Sequence, residues 1–197
     1  MHHISALLKR ICTIVHLIYI KILHIKSFSF SGISIIGNST RFTIIDKGRI
    51  VLGKNIGIRR NCEIAVSEKG IINFEDNVFL NNGCMIVSHC SISIGAGTRL
   101  GPMVMVYDHD YDYTNRIAFE SGKHISEAIN IGKNCWIGAG AIILKGSQIG
   151  NNCVIGAGAV IKGSYKDNSI IVQKRIEEIS EIVERKDYYE ASFTDCR

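Results

Sequence analysis

Aliphatic side chains recur at every sixth position in the second half of the chain. They are Ile131, Ile137, Ile143, Ile149, Ile155 and Ile161. A small side chain follows four residues after most of them, at Cys135, Ala141, Ser147, Cys153 and Ala159. A helix repeats every 3.6 residues and cannot produce this interval. The pattern instead predicts triangular coils of about 18 residues, in which each of three short strands sends one aliphatic side chain inward and stacked coils share one core.

The same phase occurs upstream, but it is interrupted. It includes Leu52, Ile58, Phe74, Leu80, Ile94 and Leu100. The phase shifts between Ile64 and Phe74 and again between Ile86 and Ile94, which indicates small insertions. Residues 107–129 lack the repeat and begin with a polar and aromatic run, so they predict one long excursion loop. Function concentrates in loops that a rigid scaffold holds in place.

The N-terminal segment has a different character. Residues 11–25 are mostly apolar, but Lys21 and His24 lie among them, and the uncharged run from Ile11 to Ile20 is too short to span a bilayer. No small-residue cleavage site follows the run. We therefore predict an amphipathic helix and linker over residues 1–30. Such a helix packs on its own domain or on a neighbouring subunit, or it lies in the headgroup layer of a membrane.

Composition narrows the class of protein. The 197 residues are 46% hydrophobic and 21% charged with a single proline, which is typical of one globular domain and excludes a disordered chain. Basic residues (23) exceed acidic residues (18) without forming a block, so nucleic acid is not an expected partner. Seven cysteines without a CxxC pair predict reduced thiols in a cytoplasm. Four of them occupy the small-residue phase, where we expect them to pack.

At this point the chain resembles a known family. The resemblance rests on the strings Ile131-Gly-Lys-Asn-Cys-Trp-Ile-Gly-Ala-Gly140 and Ile149-Gly-Asn-Asn-Cys-Val-Ile-Gly-Ala-Gly158 and on an excursion that contains His109. The chain is similar, over roughly residues 33–172, to the hexapeptide-repeat acyltransferases, and among them to the galactoside, maltose and polysaccharide O-acetyltransferases. The resemblance implies an all-β fold, a left-handed parallel β-helix over residues 31–172. It also implies a homotrimer with active sites between subunits. Residues 173–197 are predicted to form a short C-terminal helix and tail.

The activity implied is transfer of an acetyl group from acetyl-CoA to a sugar hydroxyl. His109 matches the family's catalytic histidine, and histidine suits a general base because its pKa lies near neutrality. Asp108, Asp110 or Asp112 could orient its imidazole, and the residues leave that choice open. His124 is a reserve candidate for the base. No metal is expected, because the acidic run lacks the Gly and Glu that a calcium loop requires.

Two positions correspond to the acceptor site of relatives. Asn81 lies where sugar acetyltransferases carry an asparagine that touches the acceptor, although asparagines are also common at coil corners. His89 replaces an acidic acceptor-binding residue of galactoside-type relatives, which counts against a galactoside-like acceptor. Tyr107, Tyr111 and Tyr113 could wall a sugar site or simply pack the loop.

The donor side of the resemblance involves five residues. Small side chains there let backbone groups approach the pantetheine arm of coenzyme A. The matching positions are Trp136, Gly138, Ala139, Ala157 and Lys162. Lys162 stands one position away from the lysine that relatives use for the coenzyme phosphates, and packing between subunits is the other interpretation of Trp136.

Several alternatives stay open. A serine O-acetyltransferase or an amino-sugar N-acetyltransferase would share the donor site and differ in the acceptor. A non-enzymatic scaffold is another class, as is a zinc β-helix enzyme, for which His89, His109 and His124 supply enough ligands although nothing in the sequence makes them neighbours. The apolar helix and the basic balance suit an enzyme that works near lipid-linked saccharides at the inner face of a membrane.

Overall fold

The computed structural model describes the backbone of residues 2–174 and the side chains of residues 11–174. The C-terminal helix and tail predicted for residues 173–197 lie outside this range except for their first two residues. No cis peptide bond occurs in the described part of the chain.

The strands are numbered β1 to β22 in chain order. Twenty of them are parallel and stack into three faces of a solenoid, which within residues 2–174 has six complete coils and two further strands. Face A contains β1 Phe28–Phe30, β4 Arg49–Leu52, β7 Ile71–Phe74, β10 Ser91–Ile94, β15 Ile129–Ile131, β18 Gln148–Ile149 and β21 Ser164–Tyr165. Face B contains β2 Ile35–Ile36, β5 Gly57–Ile58, β8 Phe79–Leu80, β11 Arg99–Leu100, β16 Trp136–Ile137, β19 Val154–Ile155 and β22 Ile170–Ile171. Face C contains β3 Arg41–Ile44, β6 Glu63–Val66, β9 Met85–Ser88, β12 Met105–Tyr107, β17 Ile142–Leu144 and β20 Val160–Ile161. The predicted parallel β-helix is confirmed.

The core is a set of aliphatic columns along the solenoid axis. On face A, Ile50 pairs in register with Ile72, which pairs with Ile92, which pairs with Ile129, and all four are fully buried. Each buried aliphatic side chain contributes about 1.5–3 kcal/mol relative to an exposed one. Because a single coil leaves its columns open above and below, the stacking of coils is what buries them.

The small residues occupy the corners, as the hexad phase predicts. Cys62, Cys84, Cys135 and Cys153 are buried free thiols. Their sulfurs face backbone carbonyls, for instance Cys135 Sγ at 3.1 Å from the carbonyl oxygen of Gly150. A thiol in such a position packs as a small hydrophobic group.

Coil length varies along the solenoid, and the variation is confined to one corner. Neighbouring face A residues are 22 apart between Ile50 and Ile72 but only 18 apart between Ile131 and Ile149. The predicted 18-residue coil holds from β15 to β20, whereas Ile149 pairs with Tyr165 at a spacing of only 16 residues. The additional residues, such as 67–70, lie where face C passes into face A, which we call the C–A corner. The insertions indicated by the phase shifts are found at this corner.

The excursion leaves the solenoid at the C–A corner after Tyr107 and returns at Ile129. It is a folded hairpin rather than a plain loop: β13 His109–Tyr111 pairs antiparallel with β14 His124–Ser126. A short helix, α2 Arg116–Glu120, lies between them, and the side chain of Asn115 caps it by accepting the Ala118 N–H at 3.1 Å. The hairpin fixes the positions of residues on both of its strands.

The N-terminal helix, α1 His2–Leu23, packs against the first coil. Leu17 and Ile20 are buried there, and Thr13 Oγ1 accepts the backbone N–H of Ile36 at 3.3 Å. The opposite side of the helix exposes large apolar side chains, namely Val15, Ile18, Tyr19, Ile22 and Leu23. Among residues 2–174, no helix has the length and apolar character needed to cross a bilayer.

Candidate functional site

The C–A corner carries most of the residues that can do chemistry. Glu68, His89 and Asp108 lie at this corner on three successive coils. Since paired strands are about 4.8 Å apart, side chains at one corner on neighbouring coils come into contact. Glu68 adopts a left-handed backbone conformation, with φ of 54°, which is uncommon for a residue other than glycine or asparagine.

Three histidines form a cluster at this corner. The rings of His89 and His109 are stacked with centroids 3.9 Å apart and an interplanar angle of 27°. The His124 ring lies 4.3 Å from that of His89 and 5.1 Å from that of His109. The sequence did not predict this proximity. The phase shift between Ile86 and Ile94 was the available signal, because it places His89 on the corner from which the excursion departs.

Asp108 contacts His109 and links it to the neighbouring coil, which carries His89. Its side chain is fully buried, and Oδ1 lies 3.2 Å from His109 Nδ1 while accepting the backbone N–H of His89 at 2.8 Å. Oδ2 accepts the Ser88 hydroxyl at 2.6 Å and the backbone N–H of Cys90 at 2.9 Å. Burial acts to raise the pKa of the Asp108 carboxyl, but the hydrogen bonds from His109, His89, Ser88 and Cys90 outweigh it, and the pKa lies below its ordinary value.

The other two candidate carboxylates have different partners. Asp110 Oδ2 lies 3.3 Å from Nζ of Lys145, a lysine that is largely buried. Asp112 accepts the Thr114 hydroxyl at 2.7 Å. Of the three aspartates left open by the sequence, Asp108 is therefore the one that contacts the His109 ring.

The remaining histidines differ in their surroundings. His89 Nδ1 is buried and has no hydrogen-bond partner among the described residues, although Glu68 Oε1 lies 3.4 Å away. The distance qualifies as an ion pair if His89 is protonated, but the direction does not suit a hydrogen bond. Partial burial, followed by the proximity of His89 and His109, lowers the pKa of His124, which favours its neutral form.

Aromatic side chains border the cluster. The Tyr111 ring lies 4.7 Å from that of His124 and 5.8 Å from that of Phe119, and Tyr111 is 55% exposed. Tyr113 is more exposed still, at 76%. Tyr107 lies 6.2 Å from His109, with its hydroxyl near Met85 Sδ. Tyr111 thus presents an accessible ring next to the histidines.

The donor residues inferred from the resemblance lie on two edges of the solenoid. Trp136 projects from face B and is 60% exposed. Gly138, Ala139 and Ala157 follow at the corner where face B passes into face C, which we call the B–C corner. A Cβ on Gly138 would lie 2.5 Å from the backbone nitrogen of Ala157, so the two coils approach closely there. Lys162 is exposed at the C–A corner, two coils above His109.

Asn81 lies at the B–C corner, away from the histidine cluster. Its side-chain oxygen accepts the backbone N–H of Asn82 at 2.9 Å, and its carbonyl accepts from Cys62 Sγ. The two corners are separated by one side of the coil, about 15 Å for five extended residues. Within one chain, the fold brings His89, His109 and His124 together and does not bring Asn81 to them.

A cleft of about 1180 Å³ lies between α1 and the lower part of face B. It is lined by Thr13, His16, Arg59, Arg60, Phe79 and Arg99, among others. Arg59 and Arg99 both lie over the Phe79 ring, at 5.7 and 5.9 Å from its centroid. The histidine cluster does not line this cleft.

The Asp108–His109 pair has the geometry of an oriented general base. A buried carboxylate can only accept, so it places the proton of a neutral His109 on Nδ1 and leaves the lone pair on Nε2. His109 is 15% exposed, which allows a substrate to reach the ring. Such a pair can remove a proton from a hydroxyl or amine.

Comparison with known proteins agrees with this architecture. A family model described as bacterial transferase hexapeptide (six repeats) matches residues 128–163. WbbJ of Escherichia coli (strain K12), named as a lipopolysaccharide biosynthesis O-acetyl transferase, is 31% identical over 136 residues, which are 65% of this chain and 69% of that protein. The chain belongs to the bacterial hexapeptide-repeat transferase family.

Other relatives of this hexapeptide-repeat protein match over a shorter segment or at lower identity. Nodulation protein L of Rhizobium leguminosarum bv. viciae is 42% identical over 71 residues, which are 35% of this chain and 36% of that protein. The chain thus spans about a third of that relative. AntD, an N-acyltransferase from Bacillus cereus solved with dTDP and 3-hydroxybutyryl-CoA, superposes with a TM-score of 0.61 at 20% identity, covering 76% of this chain and 80% of AntD. At that identity the likeness shows a common fold.

Proposed function

We propose that the protein is an acyltransferase that moves the acetyl group of acetyl-CoA to a hydroxyl of a saccharide or polysaccharide precursor. The observation that carries this proposal is the contact between buried Asp108 and His109 on the excursion hairpin, 3.2 Å between Oδ1 and Nδ1. Family membership supports transfer chemistry, and the name of the relative WbbJ supports an oxygen acceptor in surface-polysaccharide synthesis.

In this proposal His109 is the general base. Its Nε2 takes the proton from the acceptor hydroxyl as the oxygen attacks the thioester carbonyl carbon. The carbonyl oxygen becomes an oxyanion, which backbone N–H groups of a neighbouring coil stabilise. The carbon–sulfur bond then breaks, and the coenzyme A thiolate takes the proton from His109 Nε2. The products are an acetyl ester and free coenzyme A, with no covalent acyl-enzyme.

Asp108 is a positioning residue in this scheme. It keeps the His109 proton on Nδ1 and stabilises the imidazolium that forms during transfer. Tyr111 offers an apolar ring surface next to the histidines that suits the C–H face of a sugar. Asn81 and His89 are the further acceptor residues proposed from the resemblance.

The proposed active site combines two copies of the chain in a homotrimer. Trp136, Gly138, Ala139 and Ala157 would bind coenzyme A, but they lie on face B and the B–C corner, whereas His109 and Lys162 lie at the C–A corner. One side of the coil separates the two edges within a chain. A neighbouring copy that places its B–C corner against this C–A corner would complete a donor groove beside the base.

We further propose a peripheral membrane contact through α1. Its inner side packs on the first coil, while Val15, Ile18, Tyr19, Ile22 and Leu23 form an exposed apolar stripe. Lys21 is nearby and is held by the carbonyls of Ile25 and Phe28. An exposed apolar stripe beside basic residues suits the headgroup layer of an anionic bilayer.

A titration of the purified chain with acetyl-CoA by calorimetry tests the donor half of the proposal without requiring the acceptor. We expect micromolar binding with about one site per chain. A panel of saccharides, amino sugars and L-serine then separates O-acetylation of sugars from the amine and serine alternatives. No detectable binding to folded trimeric protein would remove the acyltransferase proposal.

A further inference from the structure

The proposed base is part of a cluster that transfer chemistry does not require. Acid–base catalysis needs one imidazole and one orienting carboxylate, which His109 and Asp108 supply. The structure adds His89 and His124, and one ring nitrogen from each of the three histidines lies within 4.8 Å of the other two. The cluster is, however, well suited to share one divalent cation.

We propose that His89, His109 and His124 bind a divalent metal ion of the zinc class. Neutral imidazole is the commonest protein ligand for such ions, and three histidines with an open fourth position are a complete set. Three imidazole nitrogens suit ions of this class better than Mg²⁺ and Ca²⁺, which prefer sites built mainly from oxygen ligands. The proposal concerns a site distinct in role from the acetyl transfer described above.

An unpartnered atom provides independent support. His89 Nδ1 is buried and lacks a hydrogen-bond partner among the residues that the structure describes. A buried polar nitrogen of this kind costs free energy unless a partner satisfies it. A metal ion would do so, and Glu68, whose Oε1 lies 3.4 Å from this nitrogen, could serve as a further oxygen ligand or hold a bound water.

The carboxylate below the cluster also fits metal binding. Histidine ligands commonly give their other ring nitrogen to a carboxylate, which fixes the ring and raises its basicity. Asp108 stands in that relation to His109, with Oδ1 at 3.2 Å from Nδ1, so His109 would bind through Nε2. The orientation is therefore set by residues that are themselves buried and hydrogen-bonded.

Binding requires a small movement of the rings. Nitrogen ligands about 2.1 Å from a tetrahedral ion are about 3.4 Å from one another. The cluster is wider than this, up to 4.8 Å, and the stacked rings of His89 and His109 must rotate to face a common point. His124 lies on the excursion hairpin, where a shift of one strand can bring its ring closer to those of His89 and His109. The site is thus expected to bind with moderate affinity rather than as a permanent structural metal.

The consequence for catalysis follows from the proposed function. A metal on His109 Nε2 takes the lone pair that the base would use, so metal binding and acetyl transfer exclude each other at this residue. Zinc would then inhibit transfer, and a chelator would restore it. This part depends on His109 being the base, whereas the metal site itself does not.

The site is tested on the full chain after treatment with a chelator. Zn²⁺ is titrated in competition with a chromophoric chelator for the wild type, His89→Asn and His124→Asn, with His16→Asn, an exposed histidine of α1 outside the cluster, as the matched control. We expect one ion per wild-type chain, at least a tenfold loss of affinity in either cluster variant, and an unchanged affinity in the control. Equal affinity in all four proteins would overturn the proposal.

A second measurement identifies the ligands by spectroscopy and shows whether a thiol takes part. Co²⁺ is added to the wild-type protein, and its absorption spectrum is recorded beside that of Cys90→Ser, since Cys90 adjoins the site. We expect the visible bands of cobalt bound by nitrogen, without a thiolate charge-transfer band, in both proteins. A thiolate band, or no visible band, contradicts a three-histidine site. Acetyl-CoA binding by the chelator-treated protein is measured in parallel. A protein that binds acetyl-CoA but no metal contradicts the metal site alone, and a protein that binds metal but no acetyl-CoA contradicts the donor site alone.

Discussion

Oδ1 of Asp108 contacts Nδ1 of His109 at 3.2 Å while the rest of its carboxylate is anchored on the coil below. The anchor consists of the backbone N–H groups of His89 and Cys90 and the hydroxyl of Ser88. The excursion hairpin is therefore tied to the solenoid at the point where its first functional residue emerges. A base held in this way keeps one tautomer and one orientation.

The first prediction concerns Asp108→Asn. An amide has one acceptor oxygen where the carboxylate has two, and its N–H group can donate to the His109 ring, so it would fail to fix His109 in the required tautomer. We expect kcat for acetyl transfer to fall by roughly two orders of magnitude with little change in KM for acetyl-CoA. Asp112→Asn is the matched control, because Asp112 bonds the Thr114 hydroxyl and has no contact with the His109 ring. Equal losses in the two variants would count against a specific role for Asp108.

The second prediction concerns stability and pH. The pKa of Asp108 in the folded protein lies below its ordinary value of 3.8. The stabilisation of the folded protein by the ionised Asp108 carboxylate is therefore fully present above the ordinary pKa and is lost as the pH falls through the folded-state pKa. The free energy of unfolding is measured in urea at fixed protein concentration with chelator present. At neutral pH we expect it to be about 2 kcal/mol higher for wild type than for Asp108→Asn. This difference in the free energy of unfolding should shrink in strong acid. A difference that does not change with pH would contradict the stabilising role of the ionised Asp108 carboxylate.

The third prediction concerns the donor site. Trp136 is exposed on face B beside the close approach of Gly138 to the next coil, where coenzyme A is proposed to lie. Trp136→Ala should weaken acetyl-CoA binding about tenfold, which corresponds to the contact of one aromatic side chain. Ile170→Ala, at an exposed apolar residue nearer the C-terminal end of the same face, is the control. Calorimetry on both variants checks the prediction, and unchanged binding in Trp136→Ala would remove this residue from the donor groove.

The fourth prediction concerns α1. The double variant Val15→Glu with Ile22→Glu places two charges on the exposed stripe of the helix without touching buried Leu17 or Ile20. Wild-type protein should sediment with vesicles containing anionic phospholipid, and the variant should stay in the supernatant. Ile170→Glu, at the opposite end of the solenoid, should sediment as wild type does. Wild-type protein that does not sediment would contradict the membrane contact, and the exposed stripe would then be assigned to contacts between copies of the chain.

The sequence predicted the solenoid well because the hexad reflects local packing. Each inward aliphatic and each small corner residue is determined by its own coil, so Ile131 through Ile161 could be placed without knowing the rest of the fold. The phase shifts carried a second, less obvious signal. They marked the C–A corner, which is also where the excursion departs and where His89 lies.

The cluster itself could not be predicted, because it depends on register between distant segments. His89 reaches His109 through the stacking of two coils of unequal length, and His124 reaches both through the pairing of His124 with Tyr111 in the hairpin. A shift of one residue in that pairing would point His124 away. The choice of Asp108 over Asp110 and Asp112 likewise depends on the stacking of coils, because Asp108 is held by the backbone N–H groups of His89 and Cys90 on the preceding coil.

The most direct test of the central claim is acetyl transfer by His109→Ala. Radiolabelled acetyl-CoA is supplied with the acceptor found in the panel, and transfer is compared among wild type, His109→Ala and the surface control His16→Ala, after calorimetry has shown that all three bind acetyl-CoA. A base that removes the hydroxyl proton predicts a loss of about a hundredfold or more in His109→Ala alone. A variant that binds acetyl-CoA normally and keeps most of its transfer activity would contradict the assignment of His109 as the base.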